Sequence, residues 1–173
     1  MKKLISVLLI VAALFAISSS FKTQPSINRN PVAFLADTVL YPEELHFKNV
    51  QQLTTGGDNA EAYFSYDNKW LIFQRTNPKE GLMCDQMFIG KVPAAGQKFE
   101  YKMVSTGKGR TTCAFFTKDG KHIIYASTHL GSDECPPVPD RKKYGNRYIW
   151  PLYSSYDIFM ADLDGKIVKQ LTN

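Results

Sequence analysis

The stretch AEAYFSYDNKWLIFQRT at residues 60–76 is followed 52 positions later by TCAFFTKDGKHIIYAST at residues 112–128. Six positions are identical in the two copies, namely the pairs Ala62/Ala114, Phe64/Phe116, Asp67/Asp119, Lys69/Lys121, Ile72/Ile124 and Thr76/Thr128. Four more pairs are chemically similar, namely Tyr63/Phe115, Ser65/Thr117, Leu71/Ile123 and Phe73/Tyr125. A stretch that returns at a fixed spacing is the signature of a repeat fold, in which each copy forms one structural unit.

Each copy contains two short strand patterns separated by a tight corner. The predicted strands are Ala62–Ser65 and Lys69–Thr76 in the first copy, and Ala114–Thr117 and Lys121–Thr128 in the second. The corners, Asp67-Asn68 and Asp119-Gly120, are preferred pairs for a two-residue type I′ turn, because Asn and Gly tolerate positive φ. We interpret both aspartates as structural, since Asp in a hairpin accepts hydrogen bonds from backbone N–H groups. The lysines that follow them are expected to be solvated.

Two further strand patterns follow each hairpin. They are QMFIGKV from Gln86 and FEYKMVS from Phe99 in the first unit, and DIFMADL from Asp157 and KIVKQLT from Lys166 in the second. Four short strands per repeated unit are typical of a β-propeller blade. The sequence therefore predicts an all-β chain, a β-propeller of four-stranded antiparallel blades. Blade one spans about 54–104 and blade two about 105–172.

Three segments carry a resemblance to the TolB-type β-propeller repeat family. They are QLTTGGDNAEAYFSYDNKWLIFQ, DGKHIIYAS and IFMADLDGKIVKQLT. They resemble the family pattern of a leading Leu-Thr, a Ser-x-Asp-Gly-Lys corner and a closing Ile-x-x-x-Asp-x-Asp-Gly. The likeness covers residues 47–173, and it departs from the family at Tyr66 and Asn68, where Pro and Gly are favoured. The resemblance implies a propeller that works in the periplasm as an interaction platform of envelope complexes.

The number of blades is smaller than a closed propeller needs. Propellers use about four to eight blades, whereas the repeats here make two, preceded by an orphan strand pattern, FKNVQQL, at residues 47–53. Such a strand has the natural role of completing the last blade of a ring. We expect the chain to be the front portion of a longer protein. The alternative is a complete short protein that closes by oligomerising.

The first twenty residues have the layout of a secretory signal peptide: a basic start, an apolar run at 4–17 and a small-residue end. The rival interpretation, a retained membrane anchor, is disfavoured because such a run falls short of a hydrocarbon core of about 30 Å. We expect the mature chain to begin near Ser19 or Phe21, residues 21–46 to form a linker or irregular segment, and the protein to be periplasmic or secreted. No membrane insertion is expected after cleavage.

The charge of the chain argues against nucleic acid as a partner. The formal net charge is +5, from 21 basic and 16 acidic residues, and it includes Lys2 and Lys3 of the expected signal peptide. Without those two lysines it is +3, which is too mild and too dispersed for a nucleic-acid-binding surface.

Three cysteines in an exported protein predict one disulfide and one spare thiol. We favour a bond between Cys113 and Cys135, because both belong to the second unit, although the other pairings stay open. A zinc site formed by the cysteines and His129 is the alternative. It lacks a close Cys-x-x-Cys pair, so we predict no metal and no cofactor.

The candidate functional region is a long insert in the second unit. The spacing from Phe73 to Phe88 is 15 residues, whereas the equivalent spacing from Tyr125 to Phe159 is 34, so the second unit carries 19 extra residues. The loops at 77–85 and 129–155 are expected to share one rim of the disc, and long loops on a rigid scaffold often carry binding function. The candidate binding residues are His129, Asp133, Tyr148, Trp150, Tyr153 and Arg110. The alternative is that the aromatic side chains cover the rim structurally.

No catalytic motif accompanies this region. The sequence contains neither Gly-x-Ser-x-Gly nor His-Glu-x-x-His, and its histidines are His46, His122 and His129. The leading hypothesis is a non-catalytic exported propeller that binds an envelope protein. The alternatives are a substrate-gating propeller of a longer exported peptidase, and a propeller that binds glycan or peptidoglycan. Any small-molecule ligand is unknown.

Overall fold

The computed structural model describes residues 43–173 and shows two four-stranded antiparallel sheets with almost no helix. The predicted signal peptide and most of the predicted linker lie outside the described residues. The strands are β1 (Asp58–Phe64), β2 (Trp70–Asn77), β3 (Leu82–Lys91), β4 (Tyr101–Met103), β5 (Thr111–Phe116), β6 (His122–Ser127), β7 (Asp157–Asp162) and β8 (Ile167–Gln170). Two short 3₁₀ turns occur at Pro78–Glu80 and Arg141–Tyr144. The first sheet has the order β1-β2-β3-β4 and the second β5-β6-β7-β8.

The all-β prediction is confirmed, with differences in detail. Strand β3 begins at Leu82, so Cys84 and Asp85 lie in a strand and not in a loop. Residues 47–53, predicted as an orphan strand, form no strand. A strand needs a partner edge for its backbone groups, and none pairs with this segment within residues 43–173. Its Leu53 packs instead against apolar residues of the first sheet.

The main core lies where the two sheets face each other. Strand β5 contacts strands β1, β2 and β3 of the first sheet. Buried apolar residues of both sheets form one cluster: Ile72, Met87, Ile89, Val104, Ala114, Phe116, Ile123, Tyr125, Phe159 and Ala161. Because each large apolar side chain contributes about 1.5–3 kcal/mol when fully buried, this contact is the main stabilising interaction between the units.

The hairpin corners are four-residue loops, so the prediction of two-residue type I′ turns is wrong. A type I′ turn needs positive φ at both central residues, but only Asn68 (φ 58°) has it in the first corner. The Ser65 carbonyl accepts from the Asn68 amide (2.9 Å), and the Ser65 amide donates to the Trp70 carbonyl (2.9 Å). The loop therefore spans residues 66–69 around an ordinary turn, and positive φ is confined to one residue.

The predicted structural role of the corner aspartates is confirmed. Asp67 Oδ1 accepts from the Ser65 hydroxyl (2.7 Å) and from the Lys69 amide (3.1 Å), and these bonds lower the pKa of Asp67. Asp119 makes the same two bonds with Thr117 and Lys121 in the second repeat. The repeated residues thus close the same loop twice.

Gly120→Val should lower the free energy of unfolding by about 1–3 kcal/mol, because a β-branched side chain resists positive φ. Gly120 has φ +67°, and an added Cβ would meet nothing within 4 Å, so the loss would come from backbone strain and not from a clash. Urea unfolding of the purified protein measures it. Gly120→Asn is the matched control and should be nearly neutral, since Asn68 occupies the equivalent position. Equal losses for Val and Asn would contradict this account.

Candidate binding site on the insert after strand β6

The insert joins strands β6 and β7 and has a short counterpart in the first repeat. Phe73 pairs with Phe88 and Tyr125 pairs with Phe159 in the two sheets, so these pairs are equivalent. The first connection is a single 3₁₀ turn, whereas the second runs from residue 128 to residue 156. The 19 extra residues therefore all belong to one connection, at one end of the second sheet.

A disulfide ties the insert to the neighbouring sheet. Cys84 of strand β3 is bonded to Cys135 of the insert, with a Cα–Cα distance of 5.9 Å. The predicted Cys113–Cys135 bond is therefore wrong. The prediction paired two cysteines of the same repeat. The insert instead folds back across the boundary between the sheets and brings Cys135 to the start of β3.

Cys113 lies in a different setting, on strand β5. It is exposed and unpaired within the described residues. Its φ is 53°, at an irregularity in the pairing of β5 with β6, and Glu61 has φ 49° at the equivalent place in β1. The bulge therefore belongs to the repeat and gives this side chain an exposed position, away from the buried Cys84.

Asp133 holds the base of the insert against the connection before β5. Its carbonyl accepts from the Gly109 amide (2.9 Å), and its carboxylate pairs with Lys108 (2.8 Å). Gly109 is required here: it has φ +56°, and an added Cβ would lie 2.6 Å from the Thr128 hydroxyl. Asp133, predicted as a binding residue, thus has a clear structural function.

Arg110 bridges the two sheets. Its Nη1 lies 3.8 Å from Asp85 Oδ2, and each side chain is 23% exposed. The nearby Tyr156 has a pKa raised to about 12, chiefly because burial disfavours the phenolate, and Asp85 adds to the effect. The sequence singled out Arg110 but gave Asp85 no role. Asp85 is predicted to lie in the loop at 77–85, where a solvated carboxylate is ordinary, so no signal in the sequence indicated that it has a partner.

His129 packs beneath the insert. Its ring centroid lies 4.4 Å from that of Phe159, and its Nδ1 lies 3.0 Å from the Ser127 hydroxyl. Partial burial lowers the pKa of His129. These contacts give the side chain a packing role at the root of the insert, and its predicted part in binding stays a prediction.

Tyr148 and Trp150 are exposed at the surface of the insert. Tyr148 is 71% exposed and Trp150 80%, and their rings meet edge to face with centroids 6.2 Å apart. The guanidinium of Arg141 lies over the Tyr148 ring, 4.9 Å from its centroid. Nothing in the described residues buries these two rings. Their exposure therefore favours a binding role over a purely structural cover of the rim.

Tyr153 lies nearer the base of the insert. Its hydroxyl donates to the Pro137 carbonyl (2.8 Å) and so closes the insert on itself. It also lines a cleft of about 350 Å³ with Thr128, Ser132, Pro136 and Ser155. The six predicted residues therefore separate into a base (Arg110, Asp133, His129), a strut (Tyr153) and an exposed aromatic pair (Tyr148, Trp150).

Residues 43–173 contain no group of three or more His, Cys, Asp or Glu side chains placed to hold a metal ion. In the same range, no helix combines the length and the apolar character needed to cross a membrane.

No protein-family model matches the chain, and no curated protein matches its sequence significantly.

Replacing Cys84 and Cys135 together by Ala should lower the free energy of unfolding by about 2–4 kcal/mol, since a bond that closes so long a loop restricts the unfolded chain strongly. The two cysteines are 51 residues apart. Urea unfolding measures the loss, and Cys113→Ala is the control that should leave stability nearly unchanged. Peptide mapping without reduction should recover the 84–135 pair. Recovery of a 113–135 pair would overturn the assignment.

Proposed function

We propose that the chain is part of a non-catalytic, exported β-propeller of TolB type that binds an envelope protein through its long insert. Three observations support the proposal. The repeat resembles that family, each copy forms a four-stranded antiparallel sheet, and a disulfide ties the insert to the next sheet. Disulfides persist in oxidising compartments, which accords with export to the periplasm or beyond.

The propeller arrangement is supported by a difference in burial between equivalent residues of the two sheets. On the first sheet Ile72 and Met87 are fully buried at 0% exposure, because the second sheet packs on them. Their equivalents on the second sheet are Ile124, which is half-buried, and Ile158, which is 40% exposed. The repeat therefore offers, on its second sheet, the same apolar face that a further blade covers in a propeller.

The main support for the binding proposal is the long insert after strand β6. It adds 19 residues to a connection that the first repeat makes with one short turn. Its base is fixed by the disulfide and by Asp133, while Tyr148 and Trp150 stay exposed. Trp and Tyr are enriched among binding hot spots, and a pre-ordered segment loses less entropy on binding.

Trp150→Ala should reduce capture of the envelope partner by roughly tenfold or more while leaving the melting temperature within a few degrees, because the side chain is exposed. The measurement is affinity capture of the tagged exported protein after chemical cross-linking, with partners quantified by mass spectrometry.

Tyr66→Ala is the matched control, since Tyr66 is also an exposed aromatic residue, 70% exposed, but lies in the first hairpin corner. It should leave capture unchanged. If Trp150→Ala destabilises the fold and spares capture, the insert is a structural cover and the proposal fails.

A further inference from the structure

One segment of the insert combines basic charge with exposed aromatic rings. Residues 141–150, RKKYGNRYIW, contain four basic residues and no acidic residue. We call the following side chains the basic–aromatic surface: Arg141, Lys142, Lys143, Arg147, Tyr148 and Trp150, all of them exposed. None of the four basic side chains forms an ion pair with a carboxylate of residues 43–173. The surface therefore carries uncompensated positive charge beside apolar area.

Arg141 is placed to receive a carboxylate. Its guanidinium lies over the Tyr148 ring at 4.9 Å from the centroid, so one face is covered by the aromatic ring. The N–H groups around the edge of a guanidinium stacked in this way remain open to solvent and match a carboxylate in a bidentate fashion. The charge of the neighbouring Lys142, Lys143 and Arg147 adds to the attraction.

The geometry of the two rings favours a side chain over a sugar. Tyr148 and Trp150 meet at 77°, with centroids 6.2 Å apart. Two rings at nearly a right angle form a corner that can hold one apolar side chain, whereas a saccharide chain stacks best on rings that present one flat face. The corner favours a peptide over an anionic glycan.

The surface is also ordered by local contacts. Asp140 caps the 3₁₀ turn by accepting from the Lys142 amide (3.0 Å), and Gly145 and Asn146 turn the chain with positive φ. Tyr153 and the disulfide hold the two ends of the insert. A surface already fixed in this way loses little conformational entropy when a partner binds.

We propose that the basic–aromatic surface binds an acidic peptide segment that places one apolar side chain in the corner formed by Tyr148 and Trp150. This inference rests on the proposed binding function and names the chemistry of the partner. The carboxylates of the segment pair with Arg141 and its basic neighbours, and the apolar side chain fills the corner.

The test is fluorescence anisotropy with the exported protein and a short labelled peptide of Glu and Asp residues with one central Phe. We expect saturable binding that weakens as salt is raised, and little binding of the same peptide with Lys in place of the acidic residues. Replacing the central Phe by Gly should weaken binding by roughly tenfold.

Trp150→Ala should weaken binding of the Phe-containing acidic peptide comparably, and Arg141→Ala should weaken it by several-fold. Lys118→Ala and Tyr66→Ala are the matched basic and aromatic controls and should bind as the wild type does.

Three results would overturn the inference: equal binding of the acidic and basic peptides, unchanged binding by Trp150→Ala and Arg141→Ala, or binding of polygalacturonate but not of the peptide through the same residues. The two proposals fail separately. Partner capture that depends on Trp150 without peptide binding would refute only the acidic-segment inference. Peptide binding without any captured envelope protein would refute the proposed function.

Discussion

The packing of one repeat on the next forms the main apolar core and sets where the insert lies. Ile72, Met87 and Ile89 of the first sheet share one buried apolar cluster with Phe116, Ile123 and Tyr125 of the second sheet. In repeat folds such neighbour contacts supply much of the stability. The same contact brings strand β3 beside the root of the insert, which places Cys84 within bonding distance of Cys135. The position of the insert is thus a consequence of how the sheets meet.

The four-stranded units could be predicted from the sequence because the same strand and corner pattern occurs in both repeats. The strand pairs and the aspartates at the corners follow from alternation and local hydrogen bonding, which are properties of a few adjacent residues. The type I′ prediction failed because the Asp-Asn and Asp-Gly pairs also suit a four-residue loop with one residue at positive φ, as Asn68 shows. The pattern at residues 47–53 predicts a strand, but a strand forms only where another strand edge is present to pair with it.

The site was less predictable, because its contacts join distant parts of the chain. The unequal spacing of equivalent residues identified the insert, and its composition identified the aromatic residues. The partner of Cys135, the ion pair of Arg110 with Asp85, and the packing of His129 on Phe159 all depend on which residues meet at the boundary of the two sheets. A strictly local pattern contains no such information. What the structure adds is a division of the insert into a fixed base and an exposed basic–aromatic surface.

We expect a further unit of the repeat to cover the open face of the second sheet. Maleimide labelling of Ile158→Cys in the exported protein tests this expectation, in a Cys113→Ser background and with the exposed Lys118→Cys as the reference. Ile158 is 40% exposed in residues 43–173 taken alone, whereas its equivalent Met87 is fully buried. If a further unit covers this face, the thiol introduced at position 158 should react far more slowly than the thiol introduced at position 118 in the native protein, and equally fast after unfolding. Equal rates in the native protein would contradict it.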